Sequence, residues 1–312
     1  MKNRLFTLIE GCCSAVRSKK PSIAGRLGLG VGALTLMALA PTAHAADEPR
    51  AFKDVVYATA GGKPLALDLY MPGNVEHPPL VVWLHGGAWT SGNKSQYPTF
   101  LVERGFAVAS LDFRSTNEAR FPANVHDIKA GIRFLRAKAE EYGYRSARIA
   151  IAGASSGGHL AALVGTTNGN QDLEGNEGDH LDVSSNVQAI VSYFGASDLT
   201  TILAQSTPDG LAVRVPALQR LFGSPPDKAP QLAQLASPVF QVDPTDPPLY
   251  LLHGDNDLQM PVNQALELQG VYQDAGLKVQ LMILHGVGHQ GEPFFQGKPV
   301  DNVVTFLKRV IL

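Results

Sequence analysis

The chain has 312 residues, 26 Lys and Arg against 28 Asp and Glu, a 45% hydrophobic share and two cysteines. A charge balance with no basic surplus argues against nucleic acid or an anionic membrane as partner. The length and apolar content suit one α/β domain with a sizeable core rather than a disordered or disulfide-built chain.

Residues 1–45 read as a signal peptide. Lys2, Arg4, Arg17, Lys19, Lys20 and Arg26 form a positive leader, Leu27 to Ala40 an apolar stretch, and Ala43-His44-Ala45 a small-residue cleavage signal. Cleavage after Ala45 implies a secreted or periplasmic protein with no stable membrane association afterwards. It also removes Cys12 and Cys13, leaving no thiol, and takes away more basic than acidic residues.

Residues 46–312 alternate strand and helix patterns. Strands are predicted near 53–58, 65–71, 79–85, 106–112, 148–153, 189–194, 248–253 and 279–284, with helices near 97–104, 123–140, 156–165, 261–275 and 299–310. The later strands are continuous apolar runs, which means a mostly parallel sheet covered on both faces, with the first strands as an antiparallel edge. Segments 167–187 and 197–246 fall outside the alternation and are predicted to form the rim and a small lid.

The chemistry-bearing residues follow strand ends. Pro79 to Leu84 runs into His85-Gly86-Gly87-Ala88-Trp89, an HGGG-type loop whose Gly87 and Ala88 amides suit an oxyanion hole. His85, before the loop, is assigned a structural hydrogen bond. Trp89 and Tyr97 beside the loop are candidate substrate contacts. Arg114 and Asp127 read either as an ion pair tying a loop to the next helix or as two solvated charges.

The segment Ile149 to Ala152 breaks into Gly153-Ala154-Ser155-Ser156-Gly157, which fits G-x-S-x-G between a strand and a helix. Ser155 is the candidate nucleophile and Ser156 the third oxyanion amide. Framing Ser156 as nucleophile would replace the first glycine by alanine.

A serine hydroxyl needs a base and an orienting acid, and both should follow it. Asp257 in His253-Gly254-Asp255-Asn256-Asp257 is the candidate acid, with Asp255 read as a local cap and Asp198 as a second rival. His289, between glycines past the strand Val279 to Leu284, is the candidate base; His285, at the strand end, is read as packed. No metal is predicted, since His126, His159 and His180 lack ligand spacing and no H-E-x-x-H occurs. No cofactor is implied.

Over residues 52–311 the chain resembles the α/β-hydrolases, and within them the bifunctional feruloyl and acetyl-xylan esterases of the hormone-sensitive-lipase-like group. The resemblance rests on His85 to Trp89, Asp112 to Ser115, Phe121 to Ala123, Asp127 to Ala130, Gly153 to Leu160, Ser237 to Val239, His253 to Asp257 and Gly288-His289. It implies the same Ser155, Asp257 and His289 triad and an ester substrate, either a small molecule or a polysaccharide bearing acetyl or feruloyl groups. Two departures stand out: serine follows the nucleophile where many relatives have alanine, and Asp112 replaces an aromatic. An arylformamidase-like amidase and a non-catalytic binding module are the other readings of the same fold.

Overall fold

The computed structural model describes residues 48–73 and 75–312; the leader and its cleavage site lie outside them. Eight strands form one sheet: β1 (Arg50–Ala60), β2 (Lys63–Met71), β3 (Pro79–Leu84), β4 (Ala107–Leu111), β5 (Arg145–Ala154), β6 (Ala189–Tyr193), β7 (Leu249–Gly254) and β8 (Val279–Leu284). The helices are α1 (Thr99–Glu103), α2 (Ala123–Ala137), α3 (Ala139–Tyr142), α4 (Ser156–Gly165), α5 (Ile202–Gln205), α6 (Pro208–Phe222), α7 (Pro230–Leu235), α8 (Asn263–Asp274) and α9 (Gly297–Ile311).

Strand order is β1-β2-β4-β3-β5-β6-β7-β8. The β1–β2 and β2–β4 pairs are antiparallel and every later pair is parallel. This is the α/β-hydrolase arrangement, with the antiparallel edge where the sequence predicts it.

The apolar runs are explained by what lies on each face. Along β3, Leu80, Val82 and Leu84 enter the core beneath α2 and α4, whereas Val81 and Trp83 enter the core beneath α1 and α9. Ile149 and Ile151 of β5 divide from Ala150 and Ala152 in the same way. Residues alternate sides along a strand, so burial of both faces demands apolar character at every position. The outer strands lack this demand, and both β1 and β8 carry partly exposed residues.

Segment 167–187 takes a different place from the predicted one. It contributes no residue to the cavity above Ser155. Its acids instead bind the cations of α2: Arg133 Nη1 lies 2.6 Å from Glu174 Oε1, and the buried Lys129 Nζ lies 3.2 Å from Glu174 Oε2. Arg114 Nη2 reaches Glu177 Oε1 at 2.8 Å. A polar, glycine-rich composition therefore marks an electrostatic strap on α2. Segment 197–246 does reach the cavity, through Val213 and Arg214 of α6.

The Arg114–Asp127 pair is a buried one. Nε and Nη2 of Arg114 reach both carboxylate oxygens at 2.6–3.0 Å, and the Asp127 side chain has no exposure. Asp112, the departure from the family pattern, accepts the Lys94 amide at 2.7 Å and, through its carbonyl, the Tyr57 hydroxyl at 2.6 Å.

Candidate active site

Ser155 stands between β5 and α4 with φ 55° and ψ −120°. This is a costly conformation for a residue with a side chain, and the surroundings hold it in place. The Ser155 amide donates to the Tyr193 carbonyl at 2.9 Å, and its carbonyl accepts the His159 amide at 3.0 Å. Two residues on, a Cβ at Gly157 would sit 2.2 Å from the Leu84 carbonyl oxygen, so only glycine lets α4 start this close to β3. All ten residues of α4 are buried, which fixes the elbow on a packed helix.

Ser155 Oγ lies 2.9 Å from His289 Nε2, and His289 Nδ1 lies 2.6 Å from Asp257 Oδ2. The carboxylate can only accept, so Nδ1 carries the proton and Nε2 is free to take one from Ser155. Asp257 Oδ1 accepts the amides of Gln259 and Met260 at 2.9 and 2.8 Å. Burial alone would raise the Asp257 carboxyl, but hydrogen bonds from His253 and His289 and the Met260 amide hold it well below the usual carboxylate range. It is therefore an anion at neutral pH. Phe194 packs edge-on against His289, with ring centroids 5.0 Å apart, and limits how far the imidazole can turn.

The rival residues lie elsewhere. His285 Nδ1 pairs with Asp255 Oδ2 at 2.6 Å, but this side chain is 85% exposed, contrary to the packed position predicted for it. A strand-end position at an outer strand leaves little above it to pack against. Asp255 also takes the Gly286 amide, as a turn cap does. Asp198 accepts the amide and hydroxyl of Thr200 in a local turn. His85 stacks flat on Phe113, and its Nδ1 meets the Gly86 carbonyl at 2.8 Å, the loop-holding contact assigned from sequence.

The turn after β3 puts Gly87 at φ 115° and Ala88 at φ 52°. The Gly87 carbonyl accepts the amides of Thr90 and Ser91, which closes the turn. Among the described residues no acceptor takes the amides of Gly87, Ala88 or Ser156. Gly86, Gly87, Ala88, Ser155 and His289 all line one cavity of about 780 Å³.

Tyr97 lines that cavity and stacks on Tyr70 with centroids 3.7 Å apart. Trp89 corrects the sequence expectation. It is 2% exposed and faces the core, where its Nε1 donates to His159 Nδ1 at 3.1 Å. At φ 62° its backbone turns the side chain away from the cavity. The tryptophan on the wall is Trp83, whose Nε1 donates to the Gln96 carbonyl at 2.7 Å.

Two further residues escaped the sequence. Arg214 lines the cavity from α6, where no motif points to it. His253 has a readable signal, since it stands four residues before Asp257: its Nε2 lies 3.3 Å from Asp257 Oδ2 and 3.0 Å from the Met260 carbonyl. With two acceptors on that nitrogen the proton must sit there, and His253 acts as a buried positioning donor for the acid. Among the described residues no cluster of His, Cys, Asp and Glu could hold a metal ion, and no helix is long and apolar enough to cross a membrane.

The BD-FAE family model matches residues 67–271. The chain is similar to a truncated carbohydrate esterase from gut microbiota at 32% identity, with a TM-score of 0.77 over 85% of this chain and 98% of that one. It is also similar to a bifunctional GH43-CE protein of Bacteroides eggerthii, at 33% identity and a TM-score of 0.75 over 83% of this chain and 35% of that one. The probable carboxylic ester hydrolase LipM of Mycobacterium tuberculosis is 33% identical over 193 residues, 60% of this chain and 43% of that protein. The chain spans about half the length of the curated relatives it matches.

Proposed function

The chain belongs to the BD-FAE family, and from that premise we propose that it is a secreted serine carboxylic-ester hydrolase acting on acetyl or feruloyl esters of carbohydrate. The single observation that carries the activity is the relay Ser155–His289–Asp257 opening onto a cavity beside three unengaged amides. The carbohydrate portion is supported by the similar carbohydrate esterase, and secretion by the leader sequence.

In this reading Ser155 Oγ attacks the acyl carbon while His289 Nε2 takes its proton. Negative charge gathers on the former carbonyl oxygen, and the amides of Gly87, Ala88 and Ser156 receive it; each such donor contributes about 2.7–4 kcal/mol to the transition state. His289 then protonates the departing alkoxide, leaving an acyl ester on Ser155. Water then attacks the acyl carbon as His289 takes its proton; the bond from Ser155 Oγ to the acyl carbon breaks, His289 returns the proton to Oγ, and the acid leaves. Asp257 keeps the imidazole in the right tautomer and offsets its transient positive charge throughout. The His85 to Trp89 loop serves here as the HGGAW oxyanion loop of the hormone-sensitive-lipase-like esterases.

The test is hydrolysis of aryl esters from acetyl to octanoyl, with methyl ferulate, acetylated xylan and an N-formyl aryl amide. Short acyl chains are expected to turn over fastest and acetylated xylan to release acetate. Faster cleavage of octanoyl esters, or of the formamide, would overturn the assignment.

A further inference from the structure

Of all the residues lining the cavity, Arg214 alone carries a formal charge, and no carboxylate is among them. It is 2% exposed, which is unusual for arginine. A buried guanidinium normally faces a carboxylate; Arg214 forms no ion pair among the described residues, and the nearest anion, Asp257, is committed to two histidines. Burial lowers its pKa only to about 10, so it is a cation at neutral pH.

Its three nitrogens differ. Nη2 donates to the Gln259 carbonyl, which anchors the guanidinium to the loop holding Asp257. Nε is sealed in the protein without a partner. Among the described residues Nη1 has no acceptor and, unlike Nε, it is not sealed from solvent. The side chain is thus anchored through Nη2, both Nη1 N–H bonds are unspent among the described residues, and Arg214 lines the catalytic cavity.

We propose that Arg214 is a specificity-determining residue that receives a carboxylate carried by the ester substrate, on its acyl or its alcohol portion. The inference rests on the esterase reading above, from which it takes the position of the scissile bond. A substrate carboxylate would supply the counter-ion the cavity lacks, in a place where water screens the pair little. Uncharged esters would bind against an unpaired cation.

The test compares kcat/KM for two charged esters with their carboxamide isosteres: 4-acetoxybenzoate against 4-acetoxybenzamide for the alcohol portion, and monophenyl glutarate against phenyl glutaramate for the acyl portion. In the wild-type protein at least one charged member should exceed its isostere about 10-fold or more, and the pair showing this identifies which portion carries the anion. Arg214→Met should bring that ratio to near one, with Arg214→Lys intermediate. Binding of the same probes to Ser155→Ala by calorimetry reads the preference without turnover and without altering Arg214. Ratios near one in the wild-type protein, equal binding of charged and amide probes, or a ratio retained in Arg214→Met would each overturn the proposal. Preferential binding with no hydrolysis of any ester would instead leave it standing and sink the esterase reading.

Discussion

Trp89 and His159 meet edge-on in the core, ring centroids 5.3 Å apart, with Trp89 Nε1 donating to His159 Nδ1. Nδ1 must therefore be a bare acceptor, and the proton sits on Nε2, which donates to the Ala236 carbonyl at 2.7 Å. Protonating Nδ1 would aim two N–H groups at each other between two buried side chains.

Acid stability follows from this pair. Burial lowers the His159 pKa from 6.5 to about 4, only partly opposed by the Ala236 carbonyl. Between those values the unfolded chain binds a proton that the folded chain refuses. Stability from this group is complete above about pH 6.5 and is lost as pH falls toward 4, by on the order of 3 kcal/mol. Urea denaturation at pH 7, 5.5 and 4.5 should show this decline, and His159→Gln should flatten it. An equal slope in the variant would contradict the assignment.

Two His–Asp pairs lie side by side at the ends of β7 and β8, and only one reaches Ser155. Asp257→Asn should cut kcat by about 10³–10⁴-fold with little change in KM, because the imidazole loses its tautomer and its counter-charge. Asp255→Asn, on the exposed pair with His285, should leave kcat within about twofold. Steady-state kinetics on an aryl acetate decides, and a large loss in the second variant would shift the acid's identity.

Gly157 tolerates no side chain. A Cβ there would approach the carbonyl oxygens of Leu84 and His85 within 2.5 Å. Both are backbone atoms at the end of β3 and cannot swing aside, so Gly157→Ala should destabilise by about 3 kcal/mol or more. A thermal melt that shifts by only a degree or two would show that the elbow can relax.

The Arg114–Asp127 pair should behave as a buried one. Arg114→Ala leaves the Asp127 carboxylate, with no exposed side-chain surface, short of its cation; the cost should be about 3–5 kcal/mol in a denaturant midpoint analysis. A cost below about 1 kcal/mol would be that of a solvated pair.

The parts of the site that stand at strand ends were legible because the chain announces them: an apolar run, a glycine, then the reacting residue. Ser155, Asp257 and His289 all follow that rule, and the structure brings them into one hydrogen-bonded line. What the sequence hid depends on direction and on helices without motifs. The side chain of Trp89 turns inward because of a positive φ that no spacing reveals. The fifteen-residue helix α6 contains Pro216, which reads as a break, yet the helix absorbs it and delivers Arg214 to the cavity. Glu174 and Glu177 look like loop acids until α2 supplies their cations.

The central claim is that Ser155, activated by His289, is the nucleophile. Mass spectrometry of the protein after treatment with a fluorophosphonate, with the modified peptide sequenced, tests it most directly. One adduct at Ser155, absent from Ser155→Ala and slowed at least about 10³-fold in His289→Ala, is the expected result. An adduct at Ser156, or ester hydrolysis that survives in Ser155→Ala with no adduct anywhere, would contradict it.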